Sequence, residues 1–296
     1  MVEKKALNRV PPGEVAGQAI IYVFAIFFSI IFIYPFLNVI AKSLSGEIWV
    51  MAGEVGIIPK EVHLNAYRYV LSSQRFYRAL GNSVFVTLVG SFCALFIVSL
   101  TAYVLSRNSF RYRNIVLKMY IFIMIFHGGV IPGFILVKSL GLIDTYLALI
   151  LPAIVNPFYL LIMRSFMKAI PDSLEESAKI DGATHIQILF NIMLPVCKPA
   201  LASVLLFFAV DYWNDFFRPL IYIKREKLFT LQLYLRSILI DEGDLVAELD
   251  PAAFANTAAK SVQNATIIVS TIPILIAYPL LQRYFVTGIT LGSIKG

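Results

Sequence analysis

The sequence is short of charge. Asp, Glu, Lys and Arg make up 15% of its 296 residues, where a soluble domain carries about 25%. Histidine and cysteine are scarce as well, at three and two. His63, His127, His185, Cys93 and Cys197 lie far apart, with no CxxC or HxxxH spacing. Neither a disulfide framework nor a zinc site is indicated. No G-x-x-x-x-G-K-[ST] phosphate loop occurs, so the chain does not itself hold ATP in that way. No internal repeat is visible, which weighs against the inverted-repeat carriers. What the sequence has in plenty is apolar residues, 59% of the total. That is more than one soluble core could bury, and it places the chain among membrane proteins.

A hydrocarbon core about 30 Å thick needs roughly 20 apolar residues in a helix. Six stretches meet this, some only when kinked: about 16–41, 82–105, 119–140, 146–163, 199–217 and 262–282. The first follows Lys4, Lys5 and Arg9, like a signal-peptide head. Its apolar run is too long for a cleaved signal and no small-residue site follows, so it reads as a retained span.

Charge then sets the orientation. With the N-terminus inside, the inner pieces are the N-terminal arm, 107–118, 164–198 and the tail after 282; they hold thirteen basic and six acidic residues. The rest of the chain holds twelve of each, so the whole net charge of +7 lies on one side. Short basic loops stay cytoplasmic. Both termini are therefore expected inside, and nucleic acid is not needed to explain the basic balance. The domain plan is an arm over 1–15, an all-α six-span membrane domain over 16–282 and a tail over 283–296. Outer segments occupy about 42–81 and 218–260.

Several spans carry helix breakers: Pro35, the His127-Gly128-Gly129 run with Pro132, Pro152, Pro157, Pro273 and Pro279. Freed backbone groups in lipid must be met by neighbouring helices or a watery cavity. Both irregular packing and a path lined by bent helices fit. Ionisable residues near a span are confined to Asp211, Asp215 and Arg218. A chain without buried relays is a poor proton- or sodium-coupled carrier, so its energy comes from elsewhere.

The stretch between spans four and five is the richest. Ser173 with Glu176, and Thr184 with Gln187, have capping-box spacing. Gly182 supplies the positive φ that ends a helix. The loop 171–195 thus reads as two short helices hinged at Gly182, with the second running to Leu194-Pro195. Ser177, Ala178 and Gly182 leave a region without bulk where another surface could approach.

Glu176-Ser177-Ala178, three residues, Gly182, nine residues, then Ile192-x-Leu194-Pro195 resembles the E-A-A-x3-G-x9-I-x-L-P loop of ABC importer permeases. The one departure is Ser177, still a small residue. The resemblance implies a coupling helix that seats on an ATPase subunit, with Glu176, Ser177, Ala178 and Gly182 making or shaping the contact. Ile192, Leu194 and Pro195 would fix how the loop rejoins span five. The likeness extends along nearly the whole chain. Asn65-Ala66-Tyr67, Asn82-Ser83 and Trp213-Asn214 resemble carbohydrate importer permeases, and the ending Gln282-Arg283-Tyr284-Phe285-Val286 with Gly288 resembles the smaller permease of maltose-type importers. Phe126-His127-Gly128-Gly129-Val130-Ile131-Pro132 is closer to the branch that handles complex oligosaccharides. Within it the sequence as a whole resembles the second permease of a bacterial alginate importer, although no motif encodes a uronate.

That family implies a non-catalytic, multi-pass subunit of the bacterial inner membrane. Its implied partners are a second homologous permease, two ATP-binding cassette subunits that hold ATP and Mg, an extracytoplasmic solute-binding protein, membrane lipid and an oligosaccharide. No cofactor or metal belongs to the chain itself.

Sugars present C–H faces and hydroxyls, so aromatic, amide and carboxylate groups are sought together. Tyr212, Trp213, Asn214 and Asp215 offer them at the outer end of span five, where an interfacial aromatic belt is the competing reading. Asn156 and Arg218 are further candidates for the substrate path, Arg218 as a cation for an acidic sugar. The acidic run Asp241–Asp250 reads as a solvated loop or a contact for the binding protein. Two rival functions stay open: a permease for amino acids or peptides, and an integral-membrane glycosyltransferase. The second would need an acid/base or metal cluster that the scattered His, Cys and carboxylates do not provide.

Overall fold

A computed structural model describes residues 12–126, 128–240 and 260–276. His127, residues 1–11, the acidic run 241–250, Pro279 and the tail from Arg283 lie outside the described residues. Among the described residues every regular element is helical. They fall into two compact units, drawn from Met1–Ser72 with Glu242–Val269 and from Ser73–Asp241 with Ser270–Gly296.

In the first unit, α1 runs Pro12–Leu44 as one helix with Pro35 inside it. Its side chains from Ile20 to Phe36 are exposed and apolar on all sides. A helix that is apolar all round asks for lipid or another protein. After it come α2 (Glu47–Met51) and α3 (Asn65–Ser72). Asn38 donates from Nδ2 to the carbonyls of Val55 and Gly56 at 3.1 and 2.8 Å, and Ser43 bonds the Tyr67 hydroxyl at 2.7 Å. These contacts fold the segment that follows α1 back onto its end.

The second unit is built around α4 (Gln74–Ser106), which begins ahead of the expected start at Asn82 because Ser73 caps it. Its inward face is a ladder of small residues: Ser83, Thr87, Gly90, Ser91, Ala94 and Ala102 are all buried. Spacing of three to four keeps them on one face, and small side chains let a neighbour come close without needing a hydrophobic drive. Two stretches expected as spans are broken helices. The first is α5 (Arg113–Ile125) and α6 (Val130–Ser139), separated where Gly129 takes φ +86°. The second is α7 (Tyr146–Ile150), a 3-10 turn over Leu151–Ala153 and α8 (Pro157–Lys168), bent by 52°. Pro152 and Pro157 explain it, since neither can donate to the turn before it.

The segment between α8 and the next long helix holds α9 (Asp172–Ile180), α10 (His185–Ile188), a π turn over Leu189–Met193 and α11 (Leu194–Val196). The chain then turns by 85° into α12 (Lys198–Asn214). Pro195 has no N–H for the carbonyl one turn back, and the wider π turn absorbs that lost bond. Beyond lie α13 (Phe217–Tyr222) and α14 (Leu231–Ile240), and later in the chain α15 (Lys260–Ile276), whose residues to Val269 are counted with the first unit. The main core joins α4, α8 and α12 through Val98, Leu160, Met163, Met167, Ala200 and Phe208. Among the described residues two helices, within Ile20–Leu44 and Gln74–Ser106, are long and apolar enough to cross a membrane unaided, and three more spans arise if each bent pair counts as one.

Candidate functional site

The loop between α8 and α12 is stiffened at every joint. Pro171 precedes α9, so its fixed φ starts the helix, and Asp172 and Glu175 sit in the first turn where the helix dipole favours acids. The expected Ser173/Glu176 capping box does not form. The helix starts at Asp172, so Ser173 is already inside the first turn and cannot cap it. At the other end Gly182 takes φ +80°, and the N–H groups of Gly182 and Ala183 bond the carbonyls of Lys179 and Ala178 at 3.0 and 2.9 Å. This is the paired closure of a Schellman motif. The Thr184/Gln187 box does form, with both reciprocal bonds present.

The motif residues divide between two faces. Glu176, Ser177 and Gly182 are exposed, whereas Ala178 is buried in the main core. Ile192 and Leu194 pack against that core, while Pro195 is exposed at the π turn. Three apolar side chains point away from it: Leu174, Ile180 at 86% exposure and Ile186 at 71%. Sequence reasoning passed over them, although Lys179-Ile180-Asp181 and His185-Ile186-Gln187 each set a lone isoleucine among polar neighbours. It also passed over Glu175, which is buried beside Arg107 with Oε2 at 2.5 Å from Nη1. Burial raises the Glu175 carboxyl's pKa, but the Lys179 hydrogen bond and the Arg107 charge outweigh it and hold it below the usual carboxylate range.

The second feature is a cavity of about 690 Å³ in the second unit, at the breaks in the helices. Asn156, Tyr212, Asn214, Asp215 and Arg218 all line it, together with Asp211. Trp213 does not. It lines a separate, smaller cleft with Thr87, Leu206, Pro273 and Ile274. At 3.6 residues per turn, Trp213 lies on the opposite side of α12 from Asp211, so it faces away from the cavity wall.

Most of the polar groups in the cavity are already held. Arg218 Nε meets Asp215 Oδ2 at 2.6 Å, its Nη1 donates to the Leu149 carbonyl at 2.8 Å, and its guanidinium lies 5.1 Å from the Tyr212 ring centroid. Asp215 Oδ1 accepts from the N–H groups of Phe217 and Arg218, both at 3.2 Å. Asn156 Oδ1 caps α8 through the N–H groups of Phe158 and Tyr159. The Tyr159 hydroxyl donates to Asp211 at 2.8 Å, and the Tyr212 hydroxyl donates to the Ile150 carbonyl at 2.9 Å. The ionisable lining residues are Asp211, Asp215 and Arg218, a formal charge of −1. Arg218 is therefore no free cation, and its i,i+3 partner Asp215 was readable from the spacing. The arrangement offers amide and carboxylate acceptors beside aromatic surface.

The other family-like residues are ties. Asn82 Nδ2 donates to the carbonyls of Lys227 and Phe229 at 3.0 and 2.9 Å, and its Oδ1 accepts from the Tyr146 hydroxyl at 2.8 Å. Ser83 accepts from the Leu231 N–H at 2.7 Å. Among the described residues no group of three His, Cys, Asp or Glu could hold a metal ion.

No protein-family model matches the chain. It is 43% identical over 264 residues to Protein LplC of Bacillus subtilis (strain 168), covering 89% of this chain and 90% of that protein. To the polygalacturonan/rhamnogalacturonan transport system permease protein YtcP of the same organism it is 41% identical over 278 residues, covering 94% and 97%. Among solved structures it matches the crystal structure of a bacterial ABC transporter involved in the import of the acidic polysaccharide alginate. That match has a TM-score of 0.86 and 30% identity, and covers 93% of this chain and 99% of that one.

Proposed function

The chain belongs to the permease subunits of ABC sugar importers, and on that premise we propose that it is the smaller transmembrane permease of an ATP-driven, binding-protein-dependent oligosaccharide importer. It is a non-catalytic membrane subunit. It works beside a second homologous permease, above two ATP-binding cassette subunits and below an extracytoplasmic solute-binding protein, in the bacterial inner membrane. Six spans cross that membrane with both termini in the cytoplasm, and α15 opens the sixth. The domain plan of an arm over 1–15, a six-span domain over 16–282 and a tail over 283–296 belongs to the same proposal.

The coupling loop carries the reading. One face of it is fastened to the core through Ala178, Ile188 and Leu189, and the other exposes Leu174, Ile180 and Ile186. The segment lies on the side that holds the chain's whole net charge, where lipid would not cover those side chains. Exposed isoleucines on a rigid, doubly capped loop call for a protein partner. Glu176, Ser177 and Gly182 border that contact, and Ala178 positions it from behind. Ile192, Leu194 and Pro195 set the turn into α12.

The cavity supplies the solute path. Asn156, Tyr212, Asn214 and Asp215 face the sugar, Arg218 braces Asp215, and Trp213 acts on a neighbouring surface. Acidic, alginate-like chains are the proposed cargo, supported by the acidic polysaccharide of the matched importer and the polygalacturonan permease among the relatives. With Arg218 paired, their charges are met by the partner permease or by water.

The test is reconstitution of the chain with its partner permease, ATPase and binding protein in proteoliposomes. ATP hydrolysis and uptake are then measured against a panel of neutral and acidic oligosaccharides. Stimulation by acidic members alone is expected. Failure of an ATPase subunit to copurify, or stimulation by amino acids or peptides instead, would overturn the reading.

A further inference from the structure

A push on α9 reaches the cavity only if α9 is fixed to the helices that lead there. Covalent continuity gives it α8 on one side and α10 to α12 on the other. It gives no link to α4, whose last helical residue, Ser106, lies far back in the sequence. The ion pair between α4 and α9 is made by one cation, while Arg164 on α8 separately donates from Nε to the Leu105 carbonyl of α4 at 2.9 Å.

Arg107 follows directly on α4 and is buried. Its guanidinium lies 5.3 Å from the Tyr103 ring centroid. Nε donates to Ser106 Oγ at 2.9 Å, Nη2 to the Met167 carbonyl at 3.0 Å, and Nη1 to Glu175 Oε2 at 2.5 Å. The other Glu175 oxygen meets Lys179 Nζ at 2.8 Å and stands 4.0 Å from His185 Nδ1. His185 Nδ1 is also 3.3 Å from the Tyr103 hydroxyl. Asp172 is 3.7 Å from the guanidinium. A single side chain thus joins the ends of α4 and α8 to the buried face of α9, and Tyr103 brings in α10.

Burying two ions is a poor way to gain stability, because each loses several kcal/mol of hydration and an apolar pair would hold as well. What an arginine fork adds is direction. Its donors are fixed in a plane, so its partners can move with it but cannot slide past it. The two helices it grips both lead to the cavity. At the far end of α8 are Asn156, Pro157 and Phe158, which line it, and α4 carries Gly90 against the ring of Tyr212, which lines it too.

We propose that Arg107, acting through Glu175, is the positioning residue that carries ATPase-driven movement of α9 into α4 and α8. The inference rests on the coupling-loop reading above. Arg107 contacts neither ATP nor sugar, so its effect lies in the ratio of solute imported to ATP hydrolysed.

The experiment uses the full complex in proteoliposomes with Arg107→Gln and, separately, Glu175→Gln, which keeps its shape. ATP hydrolysis stimulated by the loaded binding protein and import of labelled oligosaccharide are measured in the same vesicles. We expect assembly and hydrolysis to stay within about twofold of the unaltered complex, and import per ATP to fall about tenfold. The pair Arg107→Cys and Glu175→Cys, joined by a short bis-maleimide, should recover import per ATP over the same variant left unjoined. An unchanged ratio, or hydrolysis and import falling in equal proportion, overturns the proposal. So does failure of both glutamine variants to assemble, which would make the pair a folding contact. If the unaltered chain recruits no ATPase, the coupling-loop reading fails instead, and that result is read before any variant is made.

Discussion

Tyr212 rests directly on Gly90: a Cβ added to the glycine would stand 2.8 Å from the tyrosine Cζ. The contact joins two helices and aims the tyrosine hydroxyl at the Ile150 carbonyl, 2.9 Å away. One wall of the cavity is therefore set by the absence of a side chain on α4.

Gly90→Ala should destabilise the complex even though alanine is the better helix former. Forcing a methyl group into a closed contact costs about 1–3 kcal/mol, against a helical gain of about 1 kcal/mol. Gly81→Ala, on the same helix with open space around it, should show only the gain. Thermal unfolding of the two variants in detergent gives the comparison. Equal midpoints would mean that the Tyr212 ring has room to shift.

Arg218 and Asp215 should behave as one unit. Removing either leaves a part-buried charge without its partner, and losses of about 3–5 kcal/mol follow when such a pair is broken in a core. Solvent at the cavity lowers that here, since both side chains keep some exposure. Arg218→Gln and Asp215→Asn should each lower the unfolding midpoint, and the double variant should lower it by less than their sum. A coupling energy of about 0.5–3 kcal/mol from the double-mutant cycle is the expected outcome. Strict additivity would contradict the pairing.

Much of this was legible in the sequence, and the exceptions have physical causes. The all-helical character of the described residues, the Gly182 stop and the Thr184/Gln187 box follow from local chemistry, and local chemistry is what the chain obeys there. Asn156, Tyr212, Asn214, Asp215 and Arg218 come together because two of the breaks that sequence marks with proline also bring their ends to one cavity. Trp213 lines a separate cleft because it lies on the opposite side of α12 from Asp211. Ser173 failed as a cap because Pro171 had already started the helix. Arg107 and Glu175 were invisible for another reason: their meeting depends on how α4 and α9 pack, which no spacing along the chain records.

Ile180→Asp and Ile186→Asp should leave the fold intact and remove the partner. Both side chains are largely exposed, so the expected effect on stability is within about 0.5 kcal/mol. Loss of the ATPase from pull-downs, with normal membrane insertion, is the predicted result. Retention of the ATPase by the double variant would move the contact elsewhere on the loop.

Gly182→Val should weaken the same contact by a different route. The left-handed conformation at φ +80° costs a side-chain-bearing residue about 1–2 kcal/mol, and β-branching adds to it. The loop would relieve that strain by opening the turn between α9 and α10, which carry Ile180 and Ile186. Gly182→Asn should be much milder, because asparagine visits this region readily. ATPase copurification is expected to rank glycine, then asparagine, then valine. Any other order would mean the turn is not what holds the two isoleucines in place.

Acid should loosen α9 late. The Glu175 carboxyl is pushed up by burial, but Lys179 and Arg107 together hold it below the ordinary carboxylate range in the folded chain. Its folded pKa is thus lower than its unfolded one, so its contribution is fully present above the unfolded value, about 4.3. It is lost as the pH falls through the lower folded value. Hydrogen exchange of the α9 amides in the assembled complex, corrected for the intrinsic exchange rate, should show constant protection from pH 8 to about pH 5. Protection should then fall only in stronger acid. In Glu175→Gln the ionisable group is gone, so the remaining acid sensitivity of α9 should shrink and its protection should be lower throughout. An α9 that loosens between pH 7 and pH 5 in the unaltered chain would mean that some other group governs how the loop is fastened.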